Sequence, residues 1–405
     1  MRVLLVNAFH WLKGGVERTY LDESKWLSAA GHEVSHLAAR GDRDLPSPTR
    51  DLFAPPADFT EGGSALSQLA LLPRAIWSRP AAEAMQRVID RVKPDVAHLH
   101  APSRHLTPSI LEPLARAGVP VVMTLHDFKP WCTNRILFAH GEVCRRCLGA
   151  KHWQAARTGC VQGSHLKSAV GAIEAYVHDA RDAYASVRLW VCPSRFVHDE
   201  ALRFGVPSAR LRVLAHGVEA VSAAAPPADT PPRYALFLGR LSIEKGVQQL
   251  PAVARRIAPT PLLVAGDGPL AGWLREQAVP GLRLLGHVED ATLASLRAHA
   301  SVVVAPSLFV EHFGYSVAES LLDARPVVAA RIGALPELVE HERTGLLAEP
   351  GDAEGFAAQV ERALADPAAT SWGEAGRARV QQVGDRAAHV AGLERLYAET
   401  QRASL

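Results

Sequence analysis

The chain has 405 residues, which is enough for two domains that each bury a core. Charged residues make up 21% and apolar residues 48%, proportions that are ordinary for a soluble globular protein. The formal net charge is +2 and no run of lysine or arginine forms a basic stripe, which argues against a nucleic-acid-binding protein. Any basic patch is local, and a local patch suits a phosphate ligand.

In the first half of the chain, short apolar segments alternate with helical patterns. The apolar segments lack polar alternation, as expected of a parallel sheet that helices cover on both faces. Helical periodicity is found at Val16–Ala30, Ala82–Val92 and Phe196–Phe204. We predict strands at Val3–Asn7, Glu33–Ala38, Val96–His100, Val119–Leu125 and Arg188–Cys192.

Two apolar segments bear on localisation. The run from Met1 to Asn7 is too short for a signal peptide and the stretch from Gly62 to Pro73 is too short for a membrane span, so we expect a cytoplasmic protein. The segment from Leu66 to Trp77 mixes leucine and tryptophan with Arg74 and Arg79, a pattern compatible with peripheral contact at the inner face of a membrane. The interpretation that we favour is an amphipathic helix packed on its own domain.

The second half repeats the alternation after a segment rich in proline and alanine, residues 218–232, which we interpret as a linker. We therefore expect an α/β fold with two Rossmann-like doubly wound domains, 1–217 and 233–385, facing across a cleft, the architecture called GT-B. Residues 386–405 are expected to form a helix that packs back on the first domain. We predict strands at Tyr234–Leu238, Pro261–Ala265, Leu282–Leu285, Ser301–Ala305 and Pro326–Ala330.

Two strand-to-helix turns have the composition of phosphate sites. Gly14 and Gly15 follow the first strand and precede a helix, where backbone amides point at an anion. Arg240 and Lys245 bracket a loop that follows a strand and leads into a helix at Gly246. An arginine fork and a lysine point charge suit a diphosphate, whereas the alternative is a pair of solvated cations.

Glu311 and Glu319 flank a predicted helix start at Gly314, whose amides from Phe313 to Ser316 lack partners. Eight helical steps would separate the carboxylates by about 12 Å, too far for a glycosidase pair. That spacing suits two carboxylates with separate tasks, one that contacts a sugar and one that binds ribose hydroxyls. The alternative is two surface glutamates, but an apolar neighbourhood makes unpaired carboxylates costly.

The chain resembles glycosyltransferase family 4, the retaining enzymes with the GT-B fold, over nearly its whole length. The most specific matches are Gly239–Gly246 and the E-x7-E segment Glu311–Glu319. They continue into Ala324–Ala330, Pro336–Val339 and Thr344–Leu347. The resemblance implies an enzyme that moves a hexose from a nucleoside-diphosphate sugar to a glycan or lipid-linked acceptor in polysaccharide or glycoconjugate biosynthesis.

The resemblance also implies roles for individual residues in binding the donor. Catalysis would need no metal, because a donor phosphate oxygen takes the acceptor proton, and UDP is expected more than GDP. The diphosphate would be held by Arg240, Lys245 and the amides of Gly14 and Gly15. The donor sugar would be contacted by Glu311 and the amides of Phe313, Gly314 and Tyr315, the ribose by Glu319 and the base near His287 and Val288. His126 matches the active-site histidine of the N-terminal domain.

Two other functions are compatible with the fold. A sugar-nucleotide epimerase or a phosphorylase would share the architecture, but an epimerase does not need the two glutamates and a phosphorylase has a cofactor lysine or a phosphate site. A metal-binding regulatory protein on a degenerate GT-B body is the alternative from another class. The sequence Asp42-Arg43-Asp44 is similar to the D-x-D of metal-dependent transferases, and we interpret it as solvated surface.

Four of the five cysteines cluster in an insertion, residues 130–165, directly after His126. Two of them have the C-x2-C spacing of a metal knuckle, and four thiolates in an irregular segment predict a structural Zn(II) site. An iron–sulfur cluster is the minority interpretation and free or oxidised thiols are the third. The fifth cysteine, Cys192, is expected to be a buried apolar residue. The predicted ligands are Cys132, Cys144, Cys147 and Cys160.

Overall fold

The computed structural model describes residues 1–56, 73–102, 105–221 and 223–402 of the chain. The predicted amphipathic segment from Leu66 to Trp77 therefore lies largely outside the described residues. Within those ranges no helix has both the length and the apolar character that crossing a bilayer requires.

Fourteen strands lie in the described residues, and most of them are short and buried. Runs of valine, leucine and alanine form them, because aliphatic side chains suit a sheet that helices cover on both faces. The strands are β1 (Arg2–Val6), β2 (Glu33–Leu37), β3 (Val96–Leu99), β4 (Val121–Thr124), β5 (Phe138–Ala139), β6 (Glu142–Val143), β7 (Val187–Cys192), β8 (Leu211–Val213), β9 (Ala235–Leu238), β10 (Leu262–Ala265), β11 (Leu282–Gly286), β12 (Val302–Ala305), β13 (Val327–Ala330) and β14 (Leu346–Ala348).

Helices follow most of the strands, and several begin at capping side chains. The hydroxyls of Ser78, Ser164 and Ser194 accept hydrogen bonds from amides of the first helical turn, which fixes those starting points. The α-helices are α1 (Gly15–Ala29), α2 (Arg79–Val92), α3 (Leu111–Arg116), α4 (Trp153–Thr158), α5 (His165–Ala180), α6 (Arg195–Arg203), α7 (Leu250–Arg256), α8 (Ala271–Glu276), α9 (Asp290–His299), α10 (Tyr315–Leu322), α11 (Leu335–Leu338), α12 (Ala353–Ala365), α13 (Ala369–Val383) and α14 (Arg386–Arg402).

Two six-stranded parallel sheets organise the chain, one in each half. Their orders are β2-β1-β3-β4-β7-β8 and β11-β10-β9-β12-β13-β14. The strand order reverses between β1 and β3 in the first sheet and between β9 and β12 in the second. Ligand clefts form at the carboxyl ends of strands at such reversals, so the loops after these strands are the candidate site. The predicted α/β fold with two doubly wound sheets is confirmed.

The cysteine-rich insertion connects β4 to β7 and has little regular structure. It contains the antiparallel pair β5–β6 and the short helix α4, and Arg145 anchors it to Glu200 of α6 through two hydrogen bonds of 2.8 and 2.7 Å. Its backbone includes several non-glycine residues in the left-handed region, which costs conformational energy. These are Arg135, Leu137, His140, Ala150 and Gln162.

The last helix, α14, packs on the sheet of the first half. Leu393 and Tyr397 are fully buried in one cluster with Val3 and Leu5 of β1. The chain crosses from the first half to the second just before Val218 and returns just after residue 384. The Val218 N–H donates to the Gly384 carbonyl over 2.9 Å, so the two crossings lie side by side.

Some local predictions are wrong. No helix begins at Gly246: two 3-10 turns flank this residue, which has φ of 70°, and α7 begins only at Leu250. Asp42 and Arg43 are exposed, as predicted, but the side chain of Asp44 is 1% exposed and accepts a hydrogen bond from the Gly41 amide, so Asp44 is not solvated surface. The three-residue strands β8 and β14 were not predicted, because so short a run has no measurable periodicity.

Candidate active site

The loop after β9 carries the two predicted cations. Arg240 is exposed, and its guanidinium has no hydrogen-bond or ion-pair partner among the described residues. Lys245 lies 2.7 Å from Glu311, measured from Nζ to Oε1. A Cβ atom on Gly246 would lie 1.8 Å from the Pro306 carbonyl oxygen, so only glycine lets this loop approach the loop after β12.

Glu311 lies in that second loop and is held from two sides. Its Oε1 accepts hydrogen bonds from Lys245 and from the Ser307 hydroxyl, each 2.7 Å long. Lys245 and Glu311 meet because β9 and β12 are neighbours in the sheet. The assumption of eight helical steps between Glu311 and Glu319 is wrong, because α10 begins at Tyr315 and only part of the segment is helical.

The first turn of α10 begins at a glycine in the left-handed conformation. Gly314 has φ of 89° and is the N-cap, and no side chain caps the helix. The amide of Tyr315 therefore has no intrahelical acceptor and points out of the helix start. Phe313 is buried beneath this turn. The arrangement leaves helix amides and a positive dipole end next to Lys245 and Glu311.

The start of α1 lies on the opposite side of the cleft. Gly14 and Gly15 are exposed, and no side chain caps this helix either. The Thr19 hydroxyl lies 2.6 Å from the Tyr315 hydroxyl, and a Cβ atom on Gly15 would lie 3.6 Å from the Tyr315 ring. The starts of α1 and α10 thus face each other across one cleft.

Glu319 is held by two arginines from different halves of the protein. Its Oε1 lies 2.7 Å from Arg18 of α1, and its Oε2 lies 2.7 Å from Arg297 of α9. Arg297 also pairs with Asp323 over 2.6 Å. The Glu319 side chain is 10% exposed, so the ion pair with Arg18 closes off the oxygen that would face the cleft.

His126 follows β4 and lies in a stack of aromatic rings. Its ring is 5.2 Å from that of His100 and 5.1 Å from that of His216, which in turn stacks on Tyr315 at 5.4 Å. Burial lowers the pKa of His126 to about 4, although the charges of Glu23 and Asp127 act in the opposite direction. The imidazole is therefore neutral at physiological pH.

The residues predicted for the base lie further along the second sheet. His287 and Val288 directly follow β11, the edge strand, and are separated from β9 by β10. His287 is exposed, while Val288 packs against the buried cluster that includes Phe313. They border the same carboxyl edge of the sheet as Lys245.

The four cysteines of the insertion influence each other electrostatically. Burial, together with Cys147, raises the pKa of Cys132 to about 12, and burial, Cys147 and Cys144 raise the pKa of Cys160. In a closed tetrahedral zinc site the sulfurs would lie within about 4 Å of one another. No three of these sulfurs lie within 4.8 Å of one another, so the thiols are neighbours that are not arranged as a closed site.

Several residues at this cleft were missed by sequence reasoning. Arg18, Thr19 and His216 carry no motif of their own, and their positions become visible only when the two halves meet. A signal was present in Gly266-Asp267-Gly268, directly after β10. A Cβ atom on Gly266 would lie 1.9 Å from the Gly239 carbonyl oxygen, so this turn needs glycine to pack on the Arg240 loop.

Comparisons with known proteins agree with this geometry. The family model described as Glycosyltransferase Family 4 matches residues 13–221, more than half of the chain, and the model described as Glycosyl transferases group 1 matches residues 232–366. The glycogen synthase of Mycobacterium tuberculosis is 29% identical over 91% of this chain and 87% of its own length. The phosphatidyl-myo-inositol mannosyltransferase of Mycolicibacterium smegmatis is 36% identical over 33% of this chain and 36% of its own length.

Solved structures share the fold over the whole chain. Sucrose-phosphate synthase from Thermosynechococcus elongatus superposes with a TM-score of 0.72 at 22% identity, covering 99% of both chains. HepE from Anabaena, solved with UDP-glucose, superposes with a TM-score of 0.65 at 19% identity, covering 100% of both chains. The two doubly wound sheets are therefore those of the GT-B fold. With more than half of its length matched by the family model, the chain belongs to glycosyltransferase family 4 and is a glycosyltransferase.

Proposed function

We propose that the protein is a retaining hexosyltransferase that uses a nucleoside-diphosphate sugar, a UDP-sugar more than a GDP-sugar, and a glycan or lipid-linked acceptor. The observation that carries the proposal is the convergence of Lys245, Glu311 and the start of α10 opposite Gly15 and His126. HepE, which has the same fold, was solved with UDP and with UDP-glucose, which supports this donor class.

The cleft offers positive potential where the leaving group would gain charge. In the proposed reaction the bond between the sugar and the diphosphate breaks, a bond from the acceptor oxygen forms on the same face, and the acceptor proton passes to the departing phosphate oxygen. Arg240, Lys245 and the dipole ends of α1 and α10 would stabilise the diphosphate. Arg240 is suited to this because its guanidinium has no partner among the described residues.

In the absence of the donor, Lys245 compensates the charge of Glu311. Glu311 is 14% exposed, and a buried carboxylate without a cation is unfavourable. The ion pair with Lys245 neutralises Glu311, and the diphosphate would then share the lysine with it. This arrangement keeps the Glu311 carboxylate oriented by Lys245 and Ser307 for a hydroxyl of the donor sugar.

A donor panel tests the proposal. UDP- and GDP-hexoses are incubated with the protein, with and without glycan acceptors, and release of nucleoside diphosphate is measured. Lys245→Ala and Glu311→Ala should each lower kcat by about 100-fold, as loss of preorganised electrostatic contacts does. Lys25→Ala, which removes an exposed lysine of α1, is the control and should leave kcat unchanged. If no donor is consumed with any acceptor, the proposal is wrong.

We also propose that the insertion binds a structural Zn(II) ion through Cys132, Cys144, Cys147 and Cys160. Four thiols in one segment and the C-x2-C spacing support zinc. The left-handed residues of the segment support it too, because a cross-link would hold a strained backbone. The sulfurs have to draw together on binding, which couples metal binding to ordering of the insertion beside His126.

A further inference from the structure

A buried network of histidines connects Glu23 to His126. Glu23 lies on α1 and is 1% exposed, and His100, which follows β3, is also 1% exposed. The Glu23 Oε2 atom lies 3.5 Å from His100 Nε2, and His100 Nδ1 lies 3.0 Å from His126 Nε2. Neither Glu23 Oε2 nor His100 Nε2 has a conventional hydrogen bond to any described residue. Glu23 Oε2 also lies 3.4 Å from His98 Nδ1, but that nitrogen is engaged with the Tyr397 hydroxyl over 2.8 Å. His100 Nε2 is therefore the neighbour that is left to share a hydrogen with this oxygen.

The charge of Glu23 is balanced by His389 of α14. His389 Nδ1 lies 2.7 Å from the Ala215 carbonyl oxygen and its Nε2 lies 3.1 Å from Glu23 Oε1. A carbonyl and a carboxylate both only accept, so each ring nitrogen carries a hydrogen and His389 is a cation. Burial lowers the pKa of His389, but the hydrogen bond and charge of Glu23 outweigh it and the pKa is raised. Glu23 is thus an ionised acceptor.

An ionised Glu23 determines which nitrogen of His100 is protonated. A lone pair on Nε2 would face a carboxylate oxygen in a buried site, which is unfavourable, so the hydrogen lies on Nε2. Burial lowers the pKa of His100 well below its ordinary value, so this ring is neutral and its Nδ1 is an acceptor. Within the part of the chain that the structure describes, the hydrogen-bond partner of His100 Nδ1 is His126 Nε2, which must then donate.

We propose that Glu23 and His100 are positioning residues that hold His126 in the tautomer with hydrogen on Nε2. The Nδ1 atom of His126 then presents a lone pair. It has no hydrogen-bond partner among the described residues, and His126 lines a pocket with Asp127 and Lys129. The group that His126 recognises is a hydrogen-bond donor, which in a sugar substrate is a hydroxyl. This inference rests on the proposed function for the substrate, but the tautomer does not depend on it.

A metal ion on the same side chains is the competing assignment. Glu23, His98 and His100 each offer a ligand atom, and these atoms lie within 4.8 Å of one another. Both nitrogens of His98 are already engaged, Nδ1 with the Tyr397 hydroxyl at 2.8 Å and Nε2 with the Thr124 hydroxyl at 2.7 Å. A cation would have to displace one of these bonds, so the observations favour the hydrogen-bonded chain from Glu23 through His100 to His126, which we call the relay.

The decisive experiment measures the tautomer of His126 directly. The full chain is labelled with 15N-histidine, the ring nitrogens are observed by long-range proton–nitrogen NMR, and the His126 signals are assigned with His126→Gln. The wild-type protein should show hydrogen on Nε2 of His126 at pH 7.5. Hydrogen on Nδ1, or on both nitrogens, would overturn the proposal, and this result needs no variant and no substrate.

Glu23→Gln should reverse the relay. The glutamine carbonyl would face His389 and its amide would donate to His100 Nε2, so His100 would donate to His126 and the hydrogen of His126 would move to Nδ1. We expect this shift with a loss of about tenfold in kcat/KM for the sugar donor. A drop in activity with unchanged His126 signals would contradict the relay.

Tyr397→Phe is the matched control. It removes an equally buried hydroxyl that bonds His98 Nδ1, a neighbour of Glu23, and not the His100–His126 pair. It should leave the His126 tautomer and kcat/KM unchanged. Stoichiometric metal in the purified wild-type protein that Glu23→Gln removes would show that the cluster is a metal site and overturn the relay. Correct tautomers without consumption of any sugar nucleotide would refute the proposed function and leave the relay intact.

Discussion

Acidification should destabilise this protein steeply, because several histidines are buried in the neutral form. Burial lowers the pKa of His36 to about 3 and those of His126 and His312 to about 4, from an ordinary 6.5. The unfolded chain takes up a proton at each position below pH 6.5, whereas the folded protein does so only near pH 4 or below. The stabilisation is therefore complete above pH 6.5 and is lost as the pH falls.

The size of the effect follows from the shifts. One pKa unit corresponds to about 1.4 kcal/mol, so each histidine loses about 2 kcal/mol between pH 6.5 and 5. The three together lose about 6 kcal/mol, which is comparable with the whole free energy of unfolding of many proteins. His389 acts in the opposite direction: its raised pKa contributes stability below pH 6.5 that is lost as the pH rises through the folded value.

Urea denaturation at pH 8, 7, 6 and 5, followed by tryptophan fluorescence, measures this dependence. The urea concentration at the midpoint should fall between pH 8 and pH 5. With an m-value of about 2 kcal/mol/M, removal of one buried histidine should make this fall about 1 M smaller. His36→Gln should therefore flatten the dependence for the transition of the first half. His140→Gln, which replaces an exposed histidine, is the control. A midpoint that stays constant from pH 8 to pH 5 would refute the reasoning.

Three further predictions concern the cleft and the insertion. Arg18→Ala frees Glu319 Oε1 from its ion pair, which stabilises the protein by less than about 1 kcal/mol because the arginine is 39% exposed. The KM for the sugar donor should therefore fall a few-fold. A rise in KM would show that Arg18 binds the donor. Gly246→Ala places a methyl group against a backbone carbonyl and should lower the free energy of unfolding, measured by chemical denaturation, by about 3 kcal/mol or more. Gly31 also has a positive φ but has open space around it, so Gly31→Ala should lower the free energy of unfolding by about 1 kcal/mol. Cys147→Ser should lower both zinc content, by elemental analysis, and the melting temperature, and no change in either would exclude the zinc site.

The parts of the site that lie within one half of the chain could be predicted from the sequence. Lys245 was identified because it lies in a loop after an apolar strand, and Glu311 because it precedes a predicted helix start in an apolar neighbourhood. The left-handed turns at Gly246 and Gly314 were visible as glycines, but their exact helix boundaries were not. A 3-10 turn depends on the close approach of two loops, which the local sequence does not encode.

The contacts between the halves could not be predicted. Thr19 and Tyr315 lie 296 positions apart, and Arg18 meets Glu319 only because α1 and α10 face each other. Glu23 resembles an ordinary polar residue of an amphipathic helix. Its burial became apparent only when α14 brought His389 against it. Sequence periodicity reveals that a helix has a buried face, but it does not reveal which distant element covers that face.

Because α14 packs on the first sheet, the unit that folds around this sheet includes residues from the end of the described chain. A fragment that stops at residue 217 would leave uncovered the apolar surface on which Leu393 and Tyr397 pack, and Glu23 would lose its counter-ion. The amino-terminal lobe is thus a discontinuous unit assembled from both ends of the described chain. Expression of that lobe alone should yield aggregating material unless residues 386–402 are fused to it, for example through a permuted connection.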